Sequence, residues 1–521
     1  MTGLRLLTAA AAFALTTAAA PAPLPLDRLT KTGTVDERFQ GYNIEMVEVT
    51  GGRFWAPYGG PKDEVYRQRP PIDLTDPKLV ALARNLGPSL LRVSGTWANN
   101  TYLLAEGETL TTPPAGYSQI LTRDQWRRVV AFSKAVNAPI VTSLAASGGT
   151  RDANGVWKTD QAQRMADLTK SAGGTFYAAE FFNEPNIPGT TSGMPPAYDV
   201  PNYAADFRIF RDWARKTLPG MKILGAGGVS EGTLMRNPPA IIRGGKFLPS
   251  DAMLGANPGT LDAVSYHFYG TVSPRCGGPA SLDKARVDAL SPAWLDRTLI
   301  DADFYGALRD KHEPVKPLWN TETAQAACGG SPWASTFLDS FRYLNQLGAL
   351  AQRGVKVVLH NTLAASDYGL LDPDTLTPRP NYWAAVMWKR TMGPTVLAPP
   401  ASPSPELRLY AHCLPGKPGG VGLVALNTGS AVQSLTLLQG ALVWSLAGQP
   451  IETRRITING TEPGINARGT LTGLAGARLS GVWAIAAQSI GFAAIPGANN
   501  SSCRKDAQID GGGDEMNEMR H

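Results

Sequence analysis

The hexapeptide Phe181-Phe182-Asn183-Glu184-Pro185-Asn186 ends a strand-like run over residues 176–182. A candidate buried strand stops there in Asn-Glu-Pro-Asn. Pro185 cannot donate to a sheet ladder, so the backbone must turn and leave Glu184 at the C-terminal end of the strand. Polar clusters in that position are where parallel barrels keep their catalysts. Working outward, similar short apolar runs recur at residues 39–49, 89–95, 138–145, 221–228, 261–269, 317–323 and 356–363, making eight with the quoted one. Such runs read as parallel strands buried on both faces. Helical patterns lie between them. Asp76-Pro77 is an N-cap with proline at the first helical position; Leu79, Leu82, Ala83 and Leu86 then share one face, and Gly87 stops the helix. Residues 124–136, 203–218, 335–353 and 381–392 repeat the pattern, with aromatic stripes that read as core. Eight alternations predict an α/β fold, a (β/α)8 TIM barrel over residues 27–397. A doubly wound sheet would need a glycine-rich phosphate loop after the first strand, and none is present.

The sequence Ala-Pro-Pro-Ala-Ser-Pro-Ser-Pro at residues 398–405 marks a linker. Beyond it, helical periodicity gives way to short strands separated by Gly, Asn and Pro turns, which predicts a C-terminal β-sandwich over residues 398–503. Residues 504–521 are polar with three consecutive glycines and read as a disordered tail. At the other end, Arg5, an apolar Leu/Ala/Phe run and small residues before Pro21 predict a signal peptide at residues 1–22, hence a secreted or periplasmic protein.

Hydrophobic residues make up 43% and charged residues 18% of the 521-residue chain, which excludes extensive disorder. The net charge of +6 is spread without a dense basic stretch, so no nucleic-acid partner is expected. No other run is long enough for a membrane span. The four cysteines allow three pairings; Cys276–Cys328 with Cys413–Cys503 keeps each bridge within one domain. The histidines form no HExxH or His/Cys cluster, so no zinc site is expected; no other metal and no organic cofactor is expected either.

A second carboxylate matches Glu184. Glu322 lies in Trp319-Asn320-Thr321-Glu322-Thr323, at the end of the seventh strand-like run. Two carboxylates at barrel strand ends face one cleft, and glycoside hydrolysis needs such a pair: one protonated to donate to the leaving oxygen, one ionised to attack the anomeric carbon. A spacing of about 5–5.5 Å gives retention of configuration. Asn183 is placed to hydrogen-bond a sugar hydroxyl.

Asn-Glu-Pro on the fourth strand with Glu on the seventh resembles the retaining (β/α)8 glycosidases. Four stretches narrow the resemblance to heparanase and the β-glucuronidases of glycoside hydrolase family 79. They are Asn183–Asn186, Ser265-Tyr266-His267-Phe268-Tyr269, Glu322-Thr323 followed by Gly329-Gly330, and Asp367–Asp372 with Pro380-Asn381-Tyr382-Trp383. The resemblance spans most of residues 35–503. It implies Glu184 as acid/base, Glu322 as nucleophile, and Tyr269 beside Glu322. It further implies a glucuronate carboxylate held by Tyr368 with backbone near Ser366 and Gly329, sugar contacts at Glu45 and Thr96, and His267 as a supporting residue that can modulate the acid/base pair. The implied partner is a carbohydrate containing β-linked glucuronic acid; a monomer is expected. The chain departs from the family in its Ala326-Ala327-Cys328 turn and in lacking basic clusters, Arg275 being one candidate cation near the cleft. Whether a terminal or an internal linkage is cut depends on whether residues 51–75 and 190–202 close one end of the cleft.

Three rivals remain at this level. One is a β-glycosidase of the same clan acting on a neutral sugar. Another is a secreted carbohydrate-binding protein, against which the two intact glutamates speak. The third is an esterase, since Gly228-Val229-Ser230-Glu231-Gly232 matches a nucleophile elbow and Asp262 and His267 follow. Pro238-Pro239 soon after the elbow disfavours the helix it must launch.

Overall fold

The computed structural model describes residues 22–61, 64–236, 245–277 and 285–504. The expected signal peptide and tail lie outside the described residues, save Ala22 and Arg504. Eight parallel strands close into a barrel: β1 (Gln40–Glu45), β2 (Leu91–Ser94), β3 (Ile140–Ser143), β4 (Phe176–Glu180), β5 (Lys222–Val229), β6 (Ala263–Val272), β7 (Leu318–Ala327) and β8 (Val357–His360). Closure is made by β8 pairing β1, with Val358 opposite Gln40. The expected TIM barrel is therefore present.

Alternation along each strand sorts residues into two environments. Leu90, Val141, Ala178, Leu224, Ala263, Trp319, Val357 and Leu359 form an apolar plug inside the barrel. The complementary set, including Ile44, Val93, Ile140, Ala179 and Val358, packs outward under the helices in the main core. Around it most helices bury one face, while Phe337–Gln352 and Pro380–Thr391 are buried almost all round. In Pro77–Arg84, Asp76 caps the Lys78 and Leu79 amides and buries Leu79, Leu82 and Ala83, as the sequence pattern requires. The plug leaves the C-terminal half of the barrel bore to polar side chains.

The C-terminal sheet is antiparallel throughout and carries β9 (Thr395–Leu397), β10 (Leu407–Cys413), β11 (Val421–Asn427), β12 (Gln433–Ala447), β13 (Thr457–Ile458), β14 (Ala477–Ile485) and β15 (Ser489–Ile495). The short strands expected here include one long one, β12, whose register on β14 shifts between Leu437 and Ala441. That bulge lets one long strand bend across both layers of the sandwich. The strand Lys31–Thr34 pairs with β9 and so belongs to this second sheet, although residues 27–397 read as one barrel unit. Pairing covers an edge that β9 would otherwise expose. The two domains touch through backbone bonds from Phe337 to Thr453 and Leu338 to Ile451, and through Tyr410 Oη donating to Asn345 at 2.7 Å. Disulfides join Cys276 to Cys328 and Cys413 to Cys503. No described helix is long and apolar enough to cross a membrane.

Candidate active site

Above the apolar plug, the inward positions turn polar. Glu180 sits two residues beyond Ala178 on β4 and is buried. Arg92, two residues beyond Leu90, lies opposite it. The Arg92 guanidinium donates to Glu180 Oε2 at 2.8 Å, to Asn183 Oδ1 at 2.8 Å and to Glu322 Oε2 at 2.7 Å. Thr321 Oγ1 donates to the other Glu180 oxygen at 2.7 Å. This ion-paired floor carries the two glutamates singled out in the sequence. Glu184 follows β4 with a left-handed backbone (φ 51°), which turns its side chain back over the bore. Glu322 lies within β7 where its register on β6 shifts, opposite His267.

His267 stands between them. Its Nδ1 is 3.1 Å from Glu184 Oε1 and 3.8 Å from Glu322 Oε2. Ligand atoms of Glu184, His267 and Glu322 all lie within 4.8 Å of one another. His267 Nε2 lies 3.2 Å from Arg92 Nη2 and 3.6 Å from Glu180 Oε1. A neutral ring accepts there from Arg92; an imidazolium turns its N–H to Glu180. Burial opposes the charged ring, but the Glu322 and Glu180 carboxylates hold its proton and raise its pKa to about 9. In both forms Nδ1–H donates to Glu184. Two cations at this spot, Arg92 and His267, repel a dication, so the trio is a hydrogen-bonded group rather than a metal centre. It is the sole cluster with metal-ligand spacing among the described residues.

The two carboxyls are driven apart electrostatically. Burial raises the Glu184 pKa, and the nearby Glu322 charge adds to it against the His267 hydrogen bond. Burial acts on Glu322 too, but the His267 and Arg92 cations and the Tyr269 hydroxyl outweigh it and leave its pKa lowered. Tyr269 Oη donates to Glu322 Oε1 at 2.5 Å. One neutral and one ionised carboxyl less than 5 Å apart can protonate a leaving oxygen and attack the carbon it leaves, a separation that fits the retaining class.

Around this pair lie the other residues named from sequence. Asn183 is buried, its Oδ1 taken by Arg92 and its backbone fixed by Asn99, which leaves its amide Nδ2 for a ligand. Glu45 ends β1 and accepts from Asn361 Nδ2 at 3.0 Å; its other oxygen has no hydrogen-bond partner. Asn361 also donates to Tyr269 Oη at 3.1 Å and Tyr368 Oη at 3.2 Å. Ser366 is buried with a left-handed backbone (φ 59°) and an unpartnered hydroxyl. Gly329 has φ 83°, and a Cβ there would meet Trp55 Cβ at 2.6 Å, so a side chain is excluded. Thr96 is half-buried, and its carbonyl accepts from Asn100. The structure thus gathers Glu45, Asn183, Glu184, His267, Tyr269, Glu322 and Tyr368 around one centre; Gly329 and Ser366 lie beside Tyr368.

Sequence reasoning missed Arg92, Glu180 and Asn361. Each stood inside a run read as a strand, at the inward parity of that run, where a charge or amide is costly unless paired. The esterase constellation does not form. Ser230 has φ 48°, as an elbow would, but its hydroxyl is buried and accepts from the Tyr269 amide. Asp262 pairs with Arg215 and the Ile223 amide instead of His267. Asn99, in the sequon Asn99-Asn100-Thr101, is buried and its amide bonds Asn183 and Thr191, so it offers no glycan acceptor.

No protein-family model matches the chain. Among curated proteins it is 27% identical over 376 residues to heparanase-like protein 1 of Arabidopsis thaliana, covering 68% of this chain and 65% of that protein. The match thus spans slightly less than two thirds of that relative's length. It is 26% identical over 412 residues to heparanase of Bos taurus, covering 69% of this chain and 71% of the relative. Among solved structures, a 4-O-α-L-rhamnosyl-β-D-glucuronidase from Fusarium oxysporum superposes with a TM-score of 0.62 at 14% identity, over 91% of this chain and 99% of that one.

Proposed function

The chain belongs to the heparanase-like family, glycoside hydrolase family 79, and on that premise we propose that it is an exported retaining glycoside hydrolase that cleaves β-glucuronosyl linkages. The observation that carries the reading is the carboxyl pair: Glu184 and Glu322 within 4.8 Å, with opposite pKa shifts. Glu184 is the acid/base. His267 Nδ1–H occupies its Oε1, so the acidic proton resides on Oε2, free to meet the glycosidic oxygen. Glu322, kept ionised by Arg92 and Tyr269, attacks the anomeric carbon; the C–O bond breaks as Glu184 protonates the departing oxygen. Glu184, now a carboxylate, takes a proton from water, which attacks the glycosyl–Glu322 ester and releases the sugar with Glu322 restored.

The glucuronate preference rests on the family resemblance and on the donors facing the glycone: the Tyr368 hydroxyl and the glycine turn at Gly329-Gly330. Tyrosine hydroxyls can bind a carboxylate without adding charge to a site that already holds two cations. Glu45 is pushed well above its usual pKa, by burial first and then by the Glu322 charge; as a neutral carboxyl it donates to a sugar hydroxyl without repelling the uronate. The test is hydrolysis of an aryl β-D-glucuronide beside the matching β-glucoside. Glu322→Gln abolishes turnover. Glu184→Gln slows a poor leaving group strongly and a dinitrophenolate, which needs no proton, far less. Equal losses on both leaving groups would remove Glu184 from the acid role, and preference for the glucoside would reassign the glycone pocket to a neutral sugar.

A further inference from the structure

The barrel mouth is not symmetric. Four consecutive loops, after β6, β7, β8 and β1, are knotted together by one side chain. Arg275, after β6, donates through Nη2 to Asp367 Oδ2 at 2.8 Å and to the Ala56 carbonyl, and through Nη1 to the Cys328 carbonyl at 3.3 Å. Its guanidinium stacks 3.9 Å above the Tyr58 ring. Tyr58 is itself fixed twice, by its amide on Asp367 Oδ2 at 3.3 Å and its hydroxyl on Ser273 Oγ at 2.6 Å. Ala56 and Tyr58 belong to the excursion whose base is the hairpin Gly52–Trp55 with Tyr66–Arg69. Trp55 stacks on Tyr66 at 4.8 Å and packs directly on Gly329. The Cys276–Cys328 bridge ties the β6 and β7 loops again beside Arg275. The sandwich adds Arg454, 3.4 Å from Asp367 Oδ1.

The location of this knot has a chemical meaning. Glu184 follows β4, and the group it protonates leaves on that side. The glycone therefore lies toward the opposite arc, where Glu322, Tyr269, Asn361, Tyr368 and Glu45 line the bore. A chain continuing past the glycone has to leave through the arc from β6 to β1, where the knot stands. On the β4 side the loop over residues 190–202 leans away, onto the loops after β2 and β3: Ser192 accepts from the Gly148 amide at 3.0 Å and donates from its own amide to Asn100 at 2.7 Å, and Arg151 stacks 4.8 Å from the Tyr198 ring.

We propose that the Arg275–Tyr58–Asp367 knot walls off the glycone end of the cleft, so that the enzyme removes one terminal uronic acid and does not cut inside a polymer. The inference rests on the glycosidase reading above and adds its direction of attack. A glycone whose O4 carries a further sugar has no exit, whereas any aglycone of moderate size can leave over Glu184. Arg275 and Tyr58 are then specificity-determining side chains that touch no reacting atom.

The experiment compares two oligosaccharides that differ only at the non-reducing terminus: one ending in free β-glucuronic acid, the other with that residue capped at O4 by a further sugar. Wild type releases free glucuronic acid as the first product from the former and turns over the latter at least about a hundredfold more slowly, a ratio within reach of contact-based discrimination. Arg275→Ala and Tyr58→Ala each raise the capped-to-uncapped kcat/KM ratio by about tenfold or more, the second variant guarding against loss of fold in the first. Equal turnover of the two oligosaccharides by wild type, or mid-chain products from a longer polymer, overturns the wall. So does an unchanged ratio in both folded variants. Failure of the glucuronide reading looks different: the aryl β-glucuronide is then inert while a neutral aryl glycoside is cleaved, and the same capped and uncapped pair built on that sugar decides the direction of attack. An enzyme inert on every aryl glycoside and on both oligosaccharides and the polymer overturns both.

Discussion

Tyr269→Phe separates two roles that the hydroxyl can play. Tyr269 Oη donates to Glu322 Oε1 at 2.5 Å, and nothing else shown donates to that oxygen. A hydrogen bond to a charged group is worth about 1.5–3 kcal/mol. Dividing by about 1.36 kcal/mol per pKa unit, its loss raises the Glu322 pKa by roughly one to two units. Water entering the space left by the hydroxyl restores part of the bond, so the lower half of that range is expected. The acid limb of kcat/KM, which reports the free enzyme, then moves up by about one unit. The two chemical steps respond unequally. In the first, Glu322 gives up its charge, and losing a donor leaves a more basic nucleophile. In the second, Glu322 is the leaving group and needs the donor, so breakdown of the glycosyl-enzyme slows by about tenfold for each 1.4 kcal/mol. With a dinitrophenyl glucuronide, mixing wild type and variant in a stopped-flow instrument should give a phenolate burst equal to the enzyme concentration in the variant alone, alongside the shifted acid limb. A variant that loses activity with an unmoved acid limb and no burst would refute the reasoning, because Tyr269 would then grip the sugar and not the nucleophile.

Two further outcomes follow from the charged floor. Glu180→Gln removes one partner of a buried ion pair, which costs about 3–5 kcal/mol; Arg92 keeps Glu322, so the lower end is expected in urea unfolding, together with a fall in the pKa of His267. His267 is held at a folded pKa of about 9 against about 6.5 unfolded. The stability it confers is complete below about pH 6.5 and disappears as pH rises through 9, about 3 kcal/mol in all. Lys389, depressed to about 8 by burial, titrates in the opposite sense over part of that window. The measurement is therefore the difference between wild type and His267→Gln across pH 6–10, and a difference that does not vary with pH would mean that His267 is neutral.

Much of the fold was readable because its signals are local. Asp76-Pro77 names a helix start, Gly87 a stop, and Asn-Glu-Pro a strand that has to turn. The change at residues 398–405 marks where helical periodicity ends. The strand Lys31–Thr34 escaped because its partner, β9, lies more than 350 residues along the chain and only assembly brings them together. Glu184 and Glu322 were legible as polar breaks at strand ends. Arg92 and Glu180 were not, because a buried charge in an apolar run looks like an irregularity until its partner is known. The parity of each run held the clue: both sit two residues beyond a residue of the apolar plug, at inward positions of their strands.

That parity also explains how one scaffold gives two glutamates opposite pKa shifts. Burial is almost equal at Glu184 and Glu322, so desolvation alone would leave both neutral. The difference comes from the neighbours. Arg92 reaches Glu322 Oε2 but, on the β4 side, meets Glu180 and Asn183, four and one residues short of Glu184. His267, its charge supported by Glu180, donates its Nδ1–H to one Glu184 oxygen and leaves the other for the leaving group. Glu180 thus holds both cations without touching the cleft: its charge anchors Arg92 beside Glu322, the proposed nucleophile, and the imidazolium beside Glu184, the proposed acid. Exchanging the charges of Arg92 and Glu180 would keep an ion pair in the floor yet set a carboxylate against Glu322, raising the pKa of the group that must stay ionised. The identity of the floor residues, and not only the presence of two glutamates, is what makes this barrel mouth able to run acid and nucleophile chemistry at the same pH.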